Sequence, residues 1–140
     1  MKQQSLIIIK PDAVRRKLIG KIINRFEEND LTINSLKMLR ISKDLAEKHY
    51  AEHKGKEFYA NLIEFIISGK AVVMILEGED AISYIRELVG ATNPAEAEEG
   101  TIRGDFKEKP VRSVTENMVH ASDSPKSAER EIKLFFGDNI

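Results

Sequence analysis

A four-stranded antiparallel sheet covered by helices, in a chain of the α/β (α+β) class, is the architecture this sequence predicts, and three observations point to it. Four short runs read as strands, near residues 5–9, 31–41, 71–76 and 114–120. The segments between them carry apolar residues at helical spacing, giving the order β-α-β-α-α-β-α-loop-β-α. The connections after the first and third strands are short for a doubly wound parallel sheet, which is therefore the runner-up. With 140 residues the chain suits one domain, 1–140, able to bury on the order of two-thirds of its extended surface.

Ser5 to Ile9 is an unbroken apolar run of the kind buried on both faces of a sheet, ended by Lys10-Pro11-Asp12. Leu18, Ile19, Ile22, Ile23 and Phe26 then recur at the spacing of one helix face. Leu31 to Ile41 alternates as a strand, but the alternation slips at Ser35-Leu36, which predicts a bulge or bend. Ser42 is placed to cap a helix carrying Leu45, Ala46 and Tyr50. Phe58, Leu62, Ile63, Phe65 and Ile66 mark the next helix, stopped at Gly69. Ala71 to Leu76 is a third buried strand, and Asp80 is read as the cap of a helix with Ala81, Ile82, Ile85, Leu88 and Val89 on one face. From Gly90 to about Arg112 no period survives, and a long unpatterned stretch inside a compact domain is usually functional. A short strand, Val114 to His120, follows this long loop, and Ser124-Pro125 opens a last helix with Ala128, Ile132, Phe135 and Phe136 on its apolar face. The order fits the ferredoxin-like split βαβ arrangement, with the helices over one face of the sheet.

Composition removes several function classes. A net charge of -1 gives no basic footprint for a dedicated nucleic-acid or membrane partner, so any anion site has to be a local gathering of Lys and Arg. Without cysteine there is no disulfide framework, thiolate metal site or cysteine nucleophile. The apolar run Leu6–Ile9 is far shorter than a secretory signal or a membrane span, so a cytoplasmic location is expected. Neither GxxxxGK[ST], GxGxxG nor GxSxG occurs, which argues against a P-loop, a dinucleotide fingerprint and a nucleophile elbow. An RNA-binding sheet is disfavoured as well, because the glycine-aromatic run of that module is missing.

Histidine is scarce: His49, His53 and His120. His49 and His53 lie four apart on one helix and could share a metal. Tyr50, however, takes the glutamate place of HExxH and no third ligand follows, so both read as solvated. His120 stands at a predicted strand end, just before a well-capped helix, where free amides and the helix dipole favour an anion. There it is either a strand-end histidine bonded to backbone or a nucleophile toward phosphorus, with Glu131 on the following helix as its orienter. Lys10, Arg86 and Arg103 are each ordinary surface charges when taken alone. Together with Thr92 they could grip a polyphosphate, since Arg presents a planar fork to phosphate oxygens. Phe58, after a charged stretch, is either core or a stacking surface for a base.

Asn117-Met118-Val119-His120-Ala121-Ser122-Asp123-Ser124 resembles the N-x-x-H-[GA]-S-D-[SA] signature of nucleoside diphosphate kinases. Ile8-Ile9-Lys10-Pro11-Asp12, Ile19-Gly20-Lys21-Ile22, His49-Tyr50 through Phe58, Gly90-Ala91-Thr92-Asn93-Pro94 and Gly100-Thr101-Ile102-Arg103 are similar to that family in the same order. The resemblance implies ping-pong transfer of the γ-phosphoryl group of a nucleoside triphosphate, typically ATP, to a nucleoside diphosphate. His120 would be the nucleophile that becomes a pros-phosphohistidine, oriented by Glu131 and Ser122. Lys10 and Asn117 would meet the ribose 3′-hydroxyl, with Lys10 also on the phosphates and Tyr50 beside the transferred group. Arg86, Thr92 and Arg103 would clamp the phosphates, His53 would touch the α-phosphate, and the base would lie between Phe58 and Val114. The cofactor implied is Mg²⁺ carried by phosphates and water, with no metal ligand set on the protein. Assembly as a homo-oligomer, hexamer or tetramer, is implied too. The stretch from Arg103 to Asn117 is a few residues longer than the family pattern, and Asp30, Glu57 and Lys70 replace its usual glycine and two prolines. A nucleotide-sensing module without catalysis is the alternative on the same frame.

Overall fold

A computed structural model describes residues 1–137. The elements run β1 (Lys2–Ile9), α1 (Pro11–Arg15), α2 (Ile19–Glu27), β2 (Thr32–Arg40), α3 (Lys43–His49), α4 (Tyr59–Ile66), β3 (Lys70–Glu79), α5 (Ala81–Val89), α6 (Ile102–Phe106), β4 (Val119–Ala121) and α7 (Pro125–Phe136). The sheet order is β2-β3-β1-β4, and every pairing is antiparallel, as the split βαβ reading expects. The slip anticipated in β2 is a register shift between Ile33 and Ser35. Ser42 and Ser124 accept the backbone N–H groups of Leu45 and Ser127, so both serine caps form as expected.

Helices cover both faces of the sheet, where one covered face was expected. Because side chains alternate along a strand, Ile7 and Ile9 enter one core with Phe26, Ile85 and Ile102, while Leu6 and Ile8 enter the other with Ala46, Ile63 and Phe135. Two-sided burial is what the unbroken run in β1 demanded. The second correction is at Asp80, which does not cap α5 with its side chain. It sits in the left-handed region at φ 49°. Its N–H donates to the Met1 carbonyl, while Gln3 Oε1 of β1 accepts the N–H of Ile82 and does the capping.

Two further expectations shift around the long loop. The stretch 90–112 is not wholly irregular, since it holds a 3₁₀ turn at Pro94–Glu96 and the short helix α6. The last strand is three residues long and does not begin at Val114. Met118 has φ 71°, and the N–H of Val119 donates to the Asn117 carbonyl at 2.8 Å, a tight turn that no extended strand can contain.

Candidate active site

His120 lies at the centre of β4, opposite Ile8 of β1, so it points to the face carrying α3, α4 and α7. A cavity of about 570 Å³ opens there. Lys10, Tyr50, His53, Phe58, Arg86, Thr92, Arg103, Val114, Asn117, His120 and Glu131 all line it. Ser122, the remaining expected residue, is fully buried behind Glu131. Residues 10 to 131 are thus gathered from every part of the chain.

His120 Nε2 is 2.9 Å from Glu131 Oε1, and the same oxygen accepts the Ser122 hydroxyl at 2.7 Å. Glu131 reaches β4 because it sits on the second turn of α7, whose start the serine cap fixes. A carboxylate at Nε2 selects the tautomer that carries its proton there and leaves Nδ1 with a free lone pair.

Lys10 owes its place to Pro11. A residue before proline is driven to extended backbone, here φ -76° and ψ 163°, so β1 ends and α1 begins at one residue. Its ammonium donates to Asn117 Oδ1 at 2.9 Å, and the Asn117 amide donates to the Thr92 carbonyl. Burial, with Arg103 nearby, lowers the Lys10 pKa to about 8.

Arg103 is held by three backbone carbonyls, those of Gly90, Asn117 and Val119. Three of its five N–H donors are so engaged, which leaves two for a ligand. Burial and the neighbouring Arg86 lower its pKa to about 10. Gly104 lets the start of α6 pack against the preceding loop, since a Cβ there would stand 1.8 Å from the Glu98 carbonyl oxygen. Arg86 is exposed on the last turn of α5 and, among the described residues, its side chain makes no hydrogen bond or ion pair. Tyr50 is buried, and that burial raises its phenol, so it remains a neutral hydroxyl.

His49 corrects the sequence reading, which took it for a solvated residue. It is 4% exposed, and its ring stands perpendicular to His120 with centroids 4.7 Å apart. The signal was present: Ala46, His49 and Tyr50 are three and four apart on α3, and all three are buried. Asp123, which also lines the cavity, was quoted in the signature but given no role. The neighbouring Ser127 side chain holds its carboxyl below the usual range.

Donor chemistry decides which metal fits. Among the described residues, His49, His120 and Glu131 offer ligand atoms within 4.8 Å of one another. Two nitrogens and one oxygen are a poor set for Mg²⁺, which prefers oxygen and keeps its waters. The residues present fit a magnesium ion only as cargo of a nucleotide's phosphates, with Asp123 the nearby carboxylate.

The family model for nucleoside diphosphate kinase matches residues 3–140. A nucleoside diphosphate kinase of Methanocaldococcus jannaschii is 56% identical over 139 residues, 99% of this chain and 96% of that one. One of Rubrobacter xylanophilus is 55% identical over 135 residues, 96% of this chain and 98% of its own. Among solved structures, the Encephalitozoon cuniculi nucleoside diphosphate kinase superposes with a TM-score of 0.93 at 40% identity, covering 99% of this chain and 91% of that one. The Halobacterium salinarum enzyme, solved with CDP, gives 0.93 at 41% identity and covers 99% and 90%. The cavity, the ordered motifs and these likenesses agree, and the chain belongs to the nucleoside diphosphate kinase family of phosphotransferases.

Proposed function

We propose that this phosphotransferase carries the phosphoryl group on Nδ1 of His120 between a nucleoside triphosphate and a nucleoside diphosphate. The observation that carries the reading is the 2.9 Å contact of His120 Nε2 with Glu131, which leaves Nδ1 as the free nitrogen of a ring lining a cation-rich cavity. In the first half-reaction the lone pair on Nδ1 attacks the γ-phosphorus, and the bond to the β-γ bridging oxygen breaks. The diphosphate leaves with that electron pair. The ring, still protonated at Nε2, gains positive charge that Glu131 offsets across the hydrogen bond. In the second half, a β-phosphate oxygen of the acceptor attacks, the N–P bond breaks, and the neutral ring returns. Ser122 fixes the carboxylate, and the Tyr50 hydroxyl stands beside the transferred group.

Lys10, Arg86, Arg103 and Thr92 are proposed to hold the phosphates, Lys10 and Asn117 the ribose 3′-hydroxyl, and His53 the α-phosphate. Phe58 and Val114 would take the base between them. Phosphoryl transfer needs position and charge neutralisation more than covalent help, which suits this set. Magnesium, bound to the nucleotide's phosphates, would supply further charge neutralisation. We read residues 1–140 as one domain of a cytoplasmic homo-oligomer, hexamer or tetramer. The edge strand β2, with Leu36 and Met38 half exposed, supports the self-association.

Incubation with γ-labelled ATP is expected to leave an acid-labile, base-stable label on His120, and His120→Ala is expected to abolish transfer while keeping the fold. Near-normal turnover by that variant would overturn the reading, and nucleotide binding with no label would favour the non-catalytic alternative.

A further inference from the structure

His49 has no part in the chemistry described above, yet its buried ring packs directly against His120. It packs across His120 at 85° between the ring planes, and its other neighbours are Tyr50 at 4.6 Å and Phe135 at 5.4 Å. Its Nδ1 is buried and has no hydrogen-bond partner among the described residues. An orphaned buried nitrogen costs stability, and such costs collect at functional sites. Four groups face this ring: Tyr50 at the C-terminal end of α3, His120 on β4, and Glu131 and Phe135 on α7. Desolvation, with His120, Lys10, Arg130 and His53 adding to it, holds His49 well below its ordinary pKa, so the ring is uncharged at neutral pH.

We infer that His49 is a positioning residue for the phosphoryl carrier, a flat wall that fixes the plane of the His120 ring and keeps water from the N–P bond. The inference rests on His120 being that carrier. The reason is geometric. Glu131 anchors one nitrogen of His120, but one hydrogen bond leaves the ring free to swing about it. A second ring perpendicular to the first removes that freedom. The loss being prevented is simple hydrolysis. A water oxygen bonds to phosphorus, the N–P bond breaks, and its electron pair returns to Nδ1. Inorganic phosphate is released, and the water's surplus proton goes to solvent.

His49→Leu keeps the bulk of the site but not the flat face, and His49→Phe keeps the face but not the nitrogens. For His49→Leu, kcat is expected to fall about tenfold at unchanged KM, because a misaligned nucleophile loses rate without losing ligand. The isolated phosphoenzyme should hydrolyse several-fold faster. His49→Phe should restore most of both, with a melting temperature at or above wild type because the orphaned nitrogen is gone. Three results overturn the inference: His49→Leu within twofold of wild type in kcat and hydrolysis, a rise in KM that matches the fall in kcat, or equal losses in Leu and Phe variants. Should the Phe variant not fold, the first two readings on the Leu variant still decide. Labelling of wild-type protein, mapped to His120 or elsewhere, tests the carrier assignment separately.

Discussion

The two ends of the cavity are built on opposite principles. At the phosphate end Lys10, Arg103 and Asn117 are 6, 8 and 5% exposed, and each is tied to backbone or to another side chain. At the proposed base end Phe58 and Val114 are 45 and 49% exposed, and, among the described residues, Phe58 is flanked only by the His53 ring at 5.3 Å and the Lys56 ammonium at 5.8 Å. Lys10 and Arg103 are buried and fixed in advance, which strengthens each electrostatic contact they make. Where a base is to be held the site is open and apolar, and stacking does not read hydrogen-bonding edges. The difference suits the proposed division of labour, in which the phosphates are gripped and the base is left unread.

The largest expected effect lies at the buried end. Arg103→Lys keeps a positive charge but cannot span three carbonyls, so those of Gly90 and Val119 lose the Arg103 donor and that of Asn117 keeps only the Val119 N–H. We expect kcat/KM to fall about a hundredfold or more, the scale seen when one preorganised donor is removed. Each carbonyl left unpaired costs ~1–3 kcal/mol, so the melting temperature should fall as well. Arg86→Ala removes a cation from the exposed side, and it should lower activity without moving the melting temperature. Steady-state kinetics and thermal melts on the two variants check this. Equal losses of stability would erase the distinction between the buried cation and the exposed one.

That contrast also explains what could be read from the sequence. Local signals worked wherever a side chain acts on its own neighbours: Ser42 and Ser124 as caps, Pro11 ending β1, the slip in β2. They failed where a distant group takes over. Gln3 displaces Asp80 as the cap of α5, and only the pairing of β1 with β3 brings them together. The turn at Met118 exists because Lys10, Arg103 and Asp12 all bond the backbone of residues 117 to 119, and no period within 114–120 records that. Every expected site residue but Ser122 lines the cavity. Residue types suggested a cation cluster, but the family resemblance was needed to choose those positions. His49 was missed because its charged neighbours on α3 hid the buried spacing from Ala46 to Tyr50.

A middle-sized effect follows from Lys10. Its pKa near 8 means that free enzyme loses this cation as pH rises through 8, so kcat/KM should decline toward tenfold per unit above that point. Bound phosphates favour the ammonium, so the same limb in kcat should appear at higher pH. Stability should move the other way. An unfolded lysine keeps its proton to about 10.5 while the folded one gives it up near 8. Between those values the unfolded chain binds more protons, and the Lys10 contribution to stability rises with pH. The measurement is kcat and kcat/KM from pH 7 to 10 beside melts over the same range. A kcat/KM profile flat to pH 10 would remove Lys10 from the clamp.

The smallest effect belongs at the open end. Base stacking on an aromatic ring is worth ~1–3 kcal/mol, and a ring nearly half exposed belongs near the bottom of that range. Phe58→Ala should therefore raise KM about fivefold for every nucleotide, with kcat changed far less because the transferred phosphoryl is held at the other end. Purines, with the larger faces, should suffer most. Val114→Ala removes only two methyl groups at the cavity rim and should raise KM less than twofold. KM measured with adenine, guanine, cytosine and uracil diphosphates on both variants checks the pattern. If Phe58→Ala instead lost one base selectively, edge recognition would be operating at that end. The proposal that this end leaves the base unread would then fail.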